Sequence, residues 1–194
     1  ALFLVLLNGF FVAAEFTIVK VRYSQIQIKA AEGNTMAKQA ESIIKNLDAY
    51  LSATQLGITL ASLALGWVGE SALHHIIEGI FRSLDIELAQ TTVTTISVVC
   101  SFLLITVMHI VFGELVPKSI AIRKSEATTL FIAYPLHLFY NIFRPFIWLM
   151  NSLSNGFLKI IKIHPVSEHD IHSTEELQLL VKQSADSGEI EEEN

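Results

Sequence analysis

The chain has 194 residues, of which 52% are hydrophobic and 16% are charged, and its mean hydropathy is +0.50. These values are unlike those of an ordinary soluble domain and favour a protein embedded in lipid. Residues 163–194 carry nine of the 19 acidic residues and one basic residue, so the net charge of -6 belongs mainly to this tail. The lone Cys100 excludes an internal disulfide and a thiolate metal site. No basic patch suited to nucleic acid and no Walker, GxSxG or HExxH motif of an enzyme is present.

Three apolar segments are long enough to cross a bilayer as helices. A hydrocarbon core about 30 Å thick needs about 20 mostly apolar residues, because lipid offers no partner for backbone polar groups. The predicted spans are residues 1–19, 49–69 and 88–113. Glu15 lies in the first span and His109 lies in the third.

A fourth hydrophobic segment, residues 127–158, is predicted to lie beside the spans without crossing the membrane. Arg144 lies at its middle, and Pro135 and Pro145 interrupt it. Each proline removes a backbone donor, and a central Arg facing lipid costs about 2.5–3.5 kcal/mol on insertion. We therefore expect three transmembrane helices plus a kinked juxtamembrane belt helix.

The short loops set the predicted orientation. Basic residues follow the first and third spans, whereas the connection between the second and third spans is mainly acidic. Because basic loops stay in the cytoplasm, the N-terminus is predicted outside and the acidic tail inside. An amphipathic interfacial helix is predicted over residues 40–51, and a short cytoplasmic helix is predicted to begin at a capping box formed by Ser173 and Glu176.

Glu114 is the strongest candidate for a functional residue. A carboxylate at the end of an uncharged apolar run is costly unless it meets a cation, a proton or another partner. Pro117 has no N–H, which leaves the carbonyl of Gly113 without its helical hydrogen bond. Hard cations such as Mg²⁺ and Ca²⁺ prefer oxygen ligands of these kinds, so a divalent-cation site is predicted here. The spacing also allows a purely structural ion pair between Glu114 and Lys118.

Further polar groups come from the first two spans. Gln55, Thr59 and Ser62 share one face of the second span, where their oxygens can turn toward the carboxylate. The same small residues can instead simply hold helices together. Glu15 is either a ligand or gate, or a structural partner of Lys20 near the inner interface.

Three motifs in order give the chain a resemblance to a known family. They are GFFVAAE at residues 9–15, QLGITL at residues 55–60 and GELVPK at residues 113–118. With them the chain resembles the transmembrane (DUF21) domain of the CorB/CorC and CNNM family, and within it the bacterial hemolysin-like branch of magnesium exporters. The resemblance covers almost the whole chain. It implies a homodimer in the bacterial plasma membrane, with a transmembrane domain at residues 1–162. It also implies an acidic cytoplasmic linker at residues 163–194 and ATP-binding CBS modules beyond Asn194, so nucleotide binding is not expected of this chain.

The resemblance also implies a function and a site. The expected function is Mg²⁺ efflux, coupled to sodium or to protons, with alternating access around an intramembrane carboxylate and no enzymatic activity. The implied ligands are Glu114, Gly113, Ser62 and Thr59, and the implied gating or supporting residues are Glu15, Pro117 and Lys118. Val12, Ala13 and Ala14 stand where family members often have serines, and Ile58 and Ser62 stand where an Asn is common, which leaves fewer ligands. A membrane-anchored regulator or sensor of metal homeostasis, without transport of its own, is the alternative.

Overall fold

The computed structural model describes residues 1–83 and 90–161, which are helical almost throughout. The elements are α1 (Leu2–Lys20), α2 (Tyr23–Ala31), α3 (Thr35–Lys45), α4 (Leu47–Ser83), α5 (Gln90–Met108), a π-helix (His109–Leu115), α6 (Val116–Arg123) and α7 (Ser125–Ile160). These ranges contain no strand, so the predicted all-α fold is confirmed. The cytoplasmic helix predicted at Ser173 lies outside the described residues.

Three stretches of the described chain are long and apolar enough to cross a membrane. They are Leu2–Lys20, Leu47–Val68 and Thr91–Arg123. The first two match the predicted spans closely, and the third continues past its predicted end through the π-helix and α6. The prediction of a membrane protein with three transmembrane helices is therefore confirmed.

Helix α1 packs against α4, α6 and the π-helix, and glycines allow the close approach. A side chain added at Gly9 would lie 2.9 Å from both the carbonyl oxygen of Phe112 and the ring of Pro117. A side chain added at Gly57 would enter the ring of Phe11. Because lipid is as apolar as the helices, close packing of this kind is a main source of helix association in membranes. The glycines thereby allow α1 to lie directly against α4, the π-helix and α6.

The connection between the first two spans folds into two helices, α2 and α3. Gly33 adopts φ 94° between them, a conformation that favours glycine. Asn34 then caps α3 by accepting hydrogen bonds from the backbone of Met36 and Ala37. The amphipathic helix predicted over residues 40–51 is divided at Asn46: α3 ends before it and α4 begins after it. The apolar spacing continued across the break because both helices bury residues in the same core.

Helix α7 runs from Ser125 to Ile160 and includes both prolines. Its N-terminal half buries Ile132, Ala133 and Leu136, which join a core cluster with residues of α1, α2, α3 and α4. These positions recur at helical spacing, so one face of α7 is buried while the opposite face is apolar and exposed. Packing divides the chain into a unit of residues 1–149 and a second unit of residues 150–194, of which the end of α7 is described.

Candidate functional site

The backbone changes its hydrogen-bond register just before Pro117. This proline cannot donate to the carbonyl of Gly113. Residues His109–Leu115 instead form a π-helix, at whose end the N–H of Val116 bonds to the carbonyl of Val111. Single π-helical turns inside longer helices occur frequently at functional sites. The change leaves the Gly113 carbonyl free to accept a hydrogen bond from another helix.

Asn8 of α1 supplies that hydrogen bond. Its side chain is 2% exposed, and its Nδ2 donates to the Gly113 carbonyl at 2.9 Å. Its Oδ1 accepts a hydrogen bond from the Ser62 hydroxyl at 3.1 Å. The Ser62 hydroxyl also lies 3.4 Å from Nε2 of His109, which is long for a hydrogen bond. We call Asn8, Ser62, His109 and the Gly113 carbonyl the Asn8 network; it joins α1, α4 and the π-helix inside the membrane-spanning bundle.

The Asn8 network is tightly packed on one side and open on another. A side chain added at Gly113 would lie 2.8 Å from Cδ2 of His109 and 3.2 Å from Nδ2 of Asn8, so glycine is needed at this position. On the other side, Ser62 and His109 border a cavity of about 390 Å³ whose remaining walls are mainly apolar. Polar groups at the edge of a mostly apolar cavity are the usual composition of a small-ligand site.

Glu114 follows the network directly but its side chain is exposed on the surface of the chain. The alternative ion pair with Lys118 is not formed among the described residues. Lys118 instead lies 4.5 Å from the ring centre of Phe16 and acts electrostatically on Glu15, both in α1. In the described part of the chain, Glu15 has no ion pair with Lys20 either, and the cation that acts on it electrostatically is Lys118.

The structure brings only part of the predicted ligand set together. Ser62 and the Gly113 carbonyl meet through Asn8, whereas the Thr59 hydroxyl donates to the carbonyl of Gln55 in its own helix and is exposed. Asn8 was not among the predicted residues, although an amide inside the apolar run of the first span was a usable signal. Among the side chains that the structure describes, no group of three or more His, Cys, Asp or Glu lies together.

Fold and site together define a polytopic helical membrane protein with a polar network buried between its spans. The family model described as the Cyclin M transmembrane N-terminal domain matches residues 1–194, and the chain belongs to this family. This match confirms the family inferred from the three motifs. The family is associated with ion transport and not with catalysis.

Curated relatives align along nearly the whole chain. UPF0053 protein YrkA of Bacillus subtilis is 43% identical over 188 residues, which are 96% of this chain and 43% of YrkA. UPF0053 protein YhdT of the same organism is 45% identical over 188 residues, 96% of this chain and 40% of YhdT. The polyamine export protein of Haemophilus influenzae is 26% identical over 186 residues, 95% of this chain and 42% of that protein. The chain thus spans about two fifths of the length of these relatives.

Proposed function

We propose that the chain forms the cation pathway of a transporter for divalent metal ions, and that its cargo is Mg²⁺ leaving the cell. The observation that carries the proposal is the meeting of the Gly113 carbonyl, the Asn8 amide and the Ser62 hydroxyl inside the membrane, one residue from Glu114. Mg²⁺ takes oxygen ligands and keeps several waters, so it needs few protein groups. Irregular backbone at this depth is tolerated where it lines a cavity.

Asn8 holds the place of the cation in the conformation described. Its Nδ2 satisfies the Gly113 carbonyl by donating a hydrogen bond. An amide carries both donors and an acceptor, so rotation of Asn8 would present Oδ1 instead and would free the Gly113 carbonyl. The Ser62 hydroxyl would then turn its oxygen to the same point. Glu114, which forms no ion pair among the described residues, would add the negative charge that a divalent cation requires.

The assembly and the orientation belong to the same proposal. An exposed carboxylate within a membrane span is costly unless a partner covers it, and this supports a homodimer in which a second copy shields Glu114. The basic loops support an orientation with the N-terminus outside and residues 163–194 in the cytoplasm, and the family resemblance supports the bacterial plasma membrane. Coupling to sodium and control by ATP-binding CBS modules follow from the family resemblance.

Mg²⁺ binding to the 194-residue chain in detergent, followed by isothermal titration at fixed ionic strength, tests the site. Glu114→Gln, Asn8→Ala and Ser62→Ala are each expected to weaken binding by about tenfold or more. Thr59→Val is the matched control, because Thr59 is bonded within its own helix and should bind as the wild type does. Absence of saturable binding in the wild type, or equal losses in Ser62→Ala and Thr59→Val, would overturn the proposed site.

Flux separates a transporter from a membrane-anchored regulator. The full-length protein in liposomes should lower the internal Mg²⁺ concentration along an imposed gradient, and Glu114→Gln should abolish that movement while the protein remains folded. A regulator would bind the ion and leave the internal concentration unchanged.

An organic polycation is the second candidate cargo. The relative from Haemophilus influenzae is named a polyamine export protein. The cavity of about 390 Å³ beside Ser62 and His109 has mainly apolar walls, which suit a methylene chain. The Ser62 hydroxyl at its edge and the oxygens of the adjoining Asn8 network can accept hydrogen bonds from the ammonium groups. Spermidine efflux from the same liposomes, with no Mg²⁺ movement, would favour this cargo.

A further inference from the structure

Two apolar grooves converge where α6 meets α7. The first, which we call the α6 groove, has a volume of about 490 Å³ and is lined by Leu115, Val116 and Ile120 among others. The second, the α1 groove, has a volume of about 400 Å³ and lies between α1, α6 and α7. Ile120 and Lys124 line both grooves. The two grooves therefore share one apolar side chain and one cation.

A basic pocket adjoins this meeting point. The corner pocket has a volume of about 460 Å³, and its charged lining consists of Lys29, Arg123, Lys124 and Glu126. Glu126 is already engaged, because it forms an ion pair with Lys29. Arg123 and Lys124 are exposed and have no ion-pair partner among the described residues. Three cations against one carboxylate leave the pocket with a lining charge of +2.

The position along the membrane normal fits the headgroup region. Arg123 is the last residue of the third apolar stretch and Lys124 follows it. Basic side chains at the end of a span reach toward the polar interface, so we expect both cations at the level of the lipid headgroups. Both grooves extend from this level along residues of the spans. Unpaired cations at this depth attract anionic lipid headgroups.

We propose that this junction binds one anionic phospholipid, with its acyl chains in the α6 groove and the α1 groove and its phosphate on Arg123 and Lys124. Two apolar grooves that share a wall and end at one cationic pocket match the shape and charge of a two-chain amphiphile with an anionic head. Their volumes fall within the range of about 300–1,000 Å³ usual for small-molecule sites. The lipid would also contact Pro117, which lines the α1 groove and shapes the π-helix. A bound lipid would therefore affect the conformation of the π-helix and, through it, the Asn8 network.

Native mass spectrometry of the purified chain with added lipid tests this proposal. Phosphatidylglycerol and phosphatidylcholine with identical acyl chains are compared, and one phosphatidylglycerol per chain is expected to be retained in preference. Loss of both cations in Arg123→Gln/Lys124→Gln should lower phosphatidylglycerol affinity about 30-fold and leave phosphatidylcholine affinity unchanged. The matched control Lys20→Gln/Lys38→Gln removes the same charge from exposed residues outside the grooves and should change neither affinity.

A second variant tests the grooves without altering charge. Ala127 is exposed and lines both the α1 groove and the corner pocket, so Ala127→Leu should weaken binding of both lipids. The proposal is overturned if the two lipids bind alike, if the control double variant loses as much affinity as Arg123→Gln/Lys124→Gln, or if inorganic phosphate alone displaces phosphatidylglycerol. It is also overturned if Ala127→Leu dissociates a dimer that retains no lipid, since the grooves would then belong to a second copy of the chain.

Discussion

Replacing Asn8 with Ala should destabilise the bundle more than the loss of a single side chain suggests. The change removes a buried hydrogen bond to the Gly113 carbonyl at 2.9 Å and a partly buried one from the Ser62 hydroxyl at 3.1 Å. Interhelical hydrogen bonds in membranes contribute about 0.6 kcal/mol each on average. The Gly113 carbonyl would also remain buried without its partner, which costs a further 1–3 kcal/mol or so. We therefore expect the free energy of unfolding to fall by about 2–4 kcal/mol.

Reversible unfolding by sodium dodecyl sulfate in mixed micelles, followed by circular dichroism, measures this loss. Ser101→Ala is the matched control, because the Ser101 hydroxyl is fully buried and has no hydrogen-bond partner among the described residues. Its removal costs no hydrogen bond and takes away a buried hydroxyl that has no partner, so the free energy of unfolding should stay at or above that of the wild type. If Asn8→Ala unfolds like Ser101→Ala, the Asn8 network does not hold α1 to the π-helix and the reasoning fails.

Two further predictions concern packing and charge outside the network. Gly57→Val would push a side chain into the ring of Phe11 and should lower the thermal midpoint, with a cost of about 1–3 kcal/mol; an unchanged midpoint would contradict the close contact of α1 and α4. Hydrogen bonds from Lys45, and then from Tyr23, hold the pKa of Glu41 below its usual 4.5. A lowered pKa in the folded state stabilises the fold above the unfolded pKa, and this contribution is lost as the pH falls through the folded pKa. Glu41→Gln should therefore lower the thermal midpoint slightly at neutral pH, and this difference should shrink as the pH falls below the usual pKa of 4.5. A difference that stays the same throughout this titration would contradict the prediction.

The spans could be predicted from the sequence because composition alone determines them. Segments such as residues 1–19 have no alternative to a helix once they enter lipid, since their backbone groups must be satisfied internally. The division of residues 40–51 at Asn46 could not be predicted in this way. Both α3 and α4 bury apolar residues in one core, so hydrophobic periodicity continued through the point at which the helix ends. Tertiary packing, and not local propensity, separates the two helices.

Only part of the site could be predicted from the sequence. Pro117 and Gly113 are four residues apart, so the freed carbonyl could be inferred from local hydrogen bonding. The donor that meets it, Asn8, lies 105 residues away along the chain, and no local rule pairs them. Thr59 and Ser62 differ by about 60° around their helix, which places them on one face by pattern. In the structure, this difference in angle places the Ser62 hydroxyl inside the Asn8 network and the Thr59 hydroxyl on the surface.

A pair of glycine substitutions separates helix propensity from packing at the site. Gly66 and Gly113 both lie in helical spans, and Ala is better than Gly inside a helix by about 0.5–1 kcal/mol. A side chain added at Gly66 meets nothing within 4 Å, so Gly66→Ala should raise the free energy of unfolding by up to that amount. The same change at Gly113 would place a methyl group 2.8 Å from His109 and 3.2 Å from Asn8. Because Asn8 is held by its hydrogen bonds, the strain should exceed the propensity gain and leave Gly113→Ala less stable than the wild type by about 1–3 kcal/mol.

The same micelle titration measures both variants. Mg²⁺ binding should also weaken in Gly113→Ala, because the added methyl separates the carbonyl from Asn8, and should be retained in Gly66→Ala. If Gly113→Ala were as stable as Gly66→Ala, α1 could not approach the π-helix as closely as the 2.9 Å bond between Asn8 and Gly113 requires. The oxygen cluster proposed as the cation site would then lack its geometric basis, because that cluster depends on a backbone carbonyl reached across a helix interface with no side chain in between.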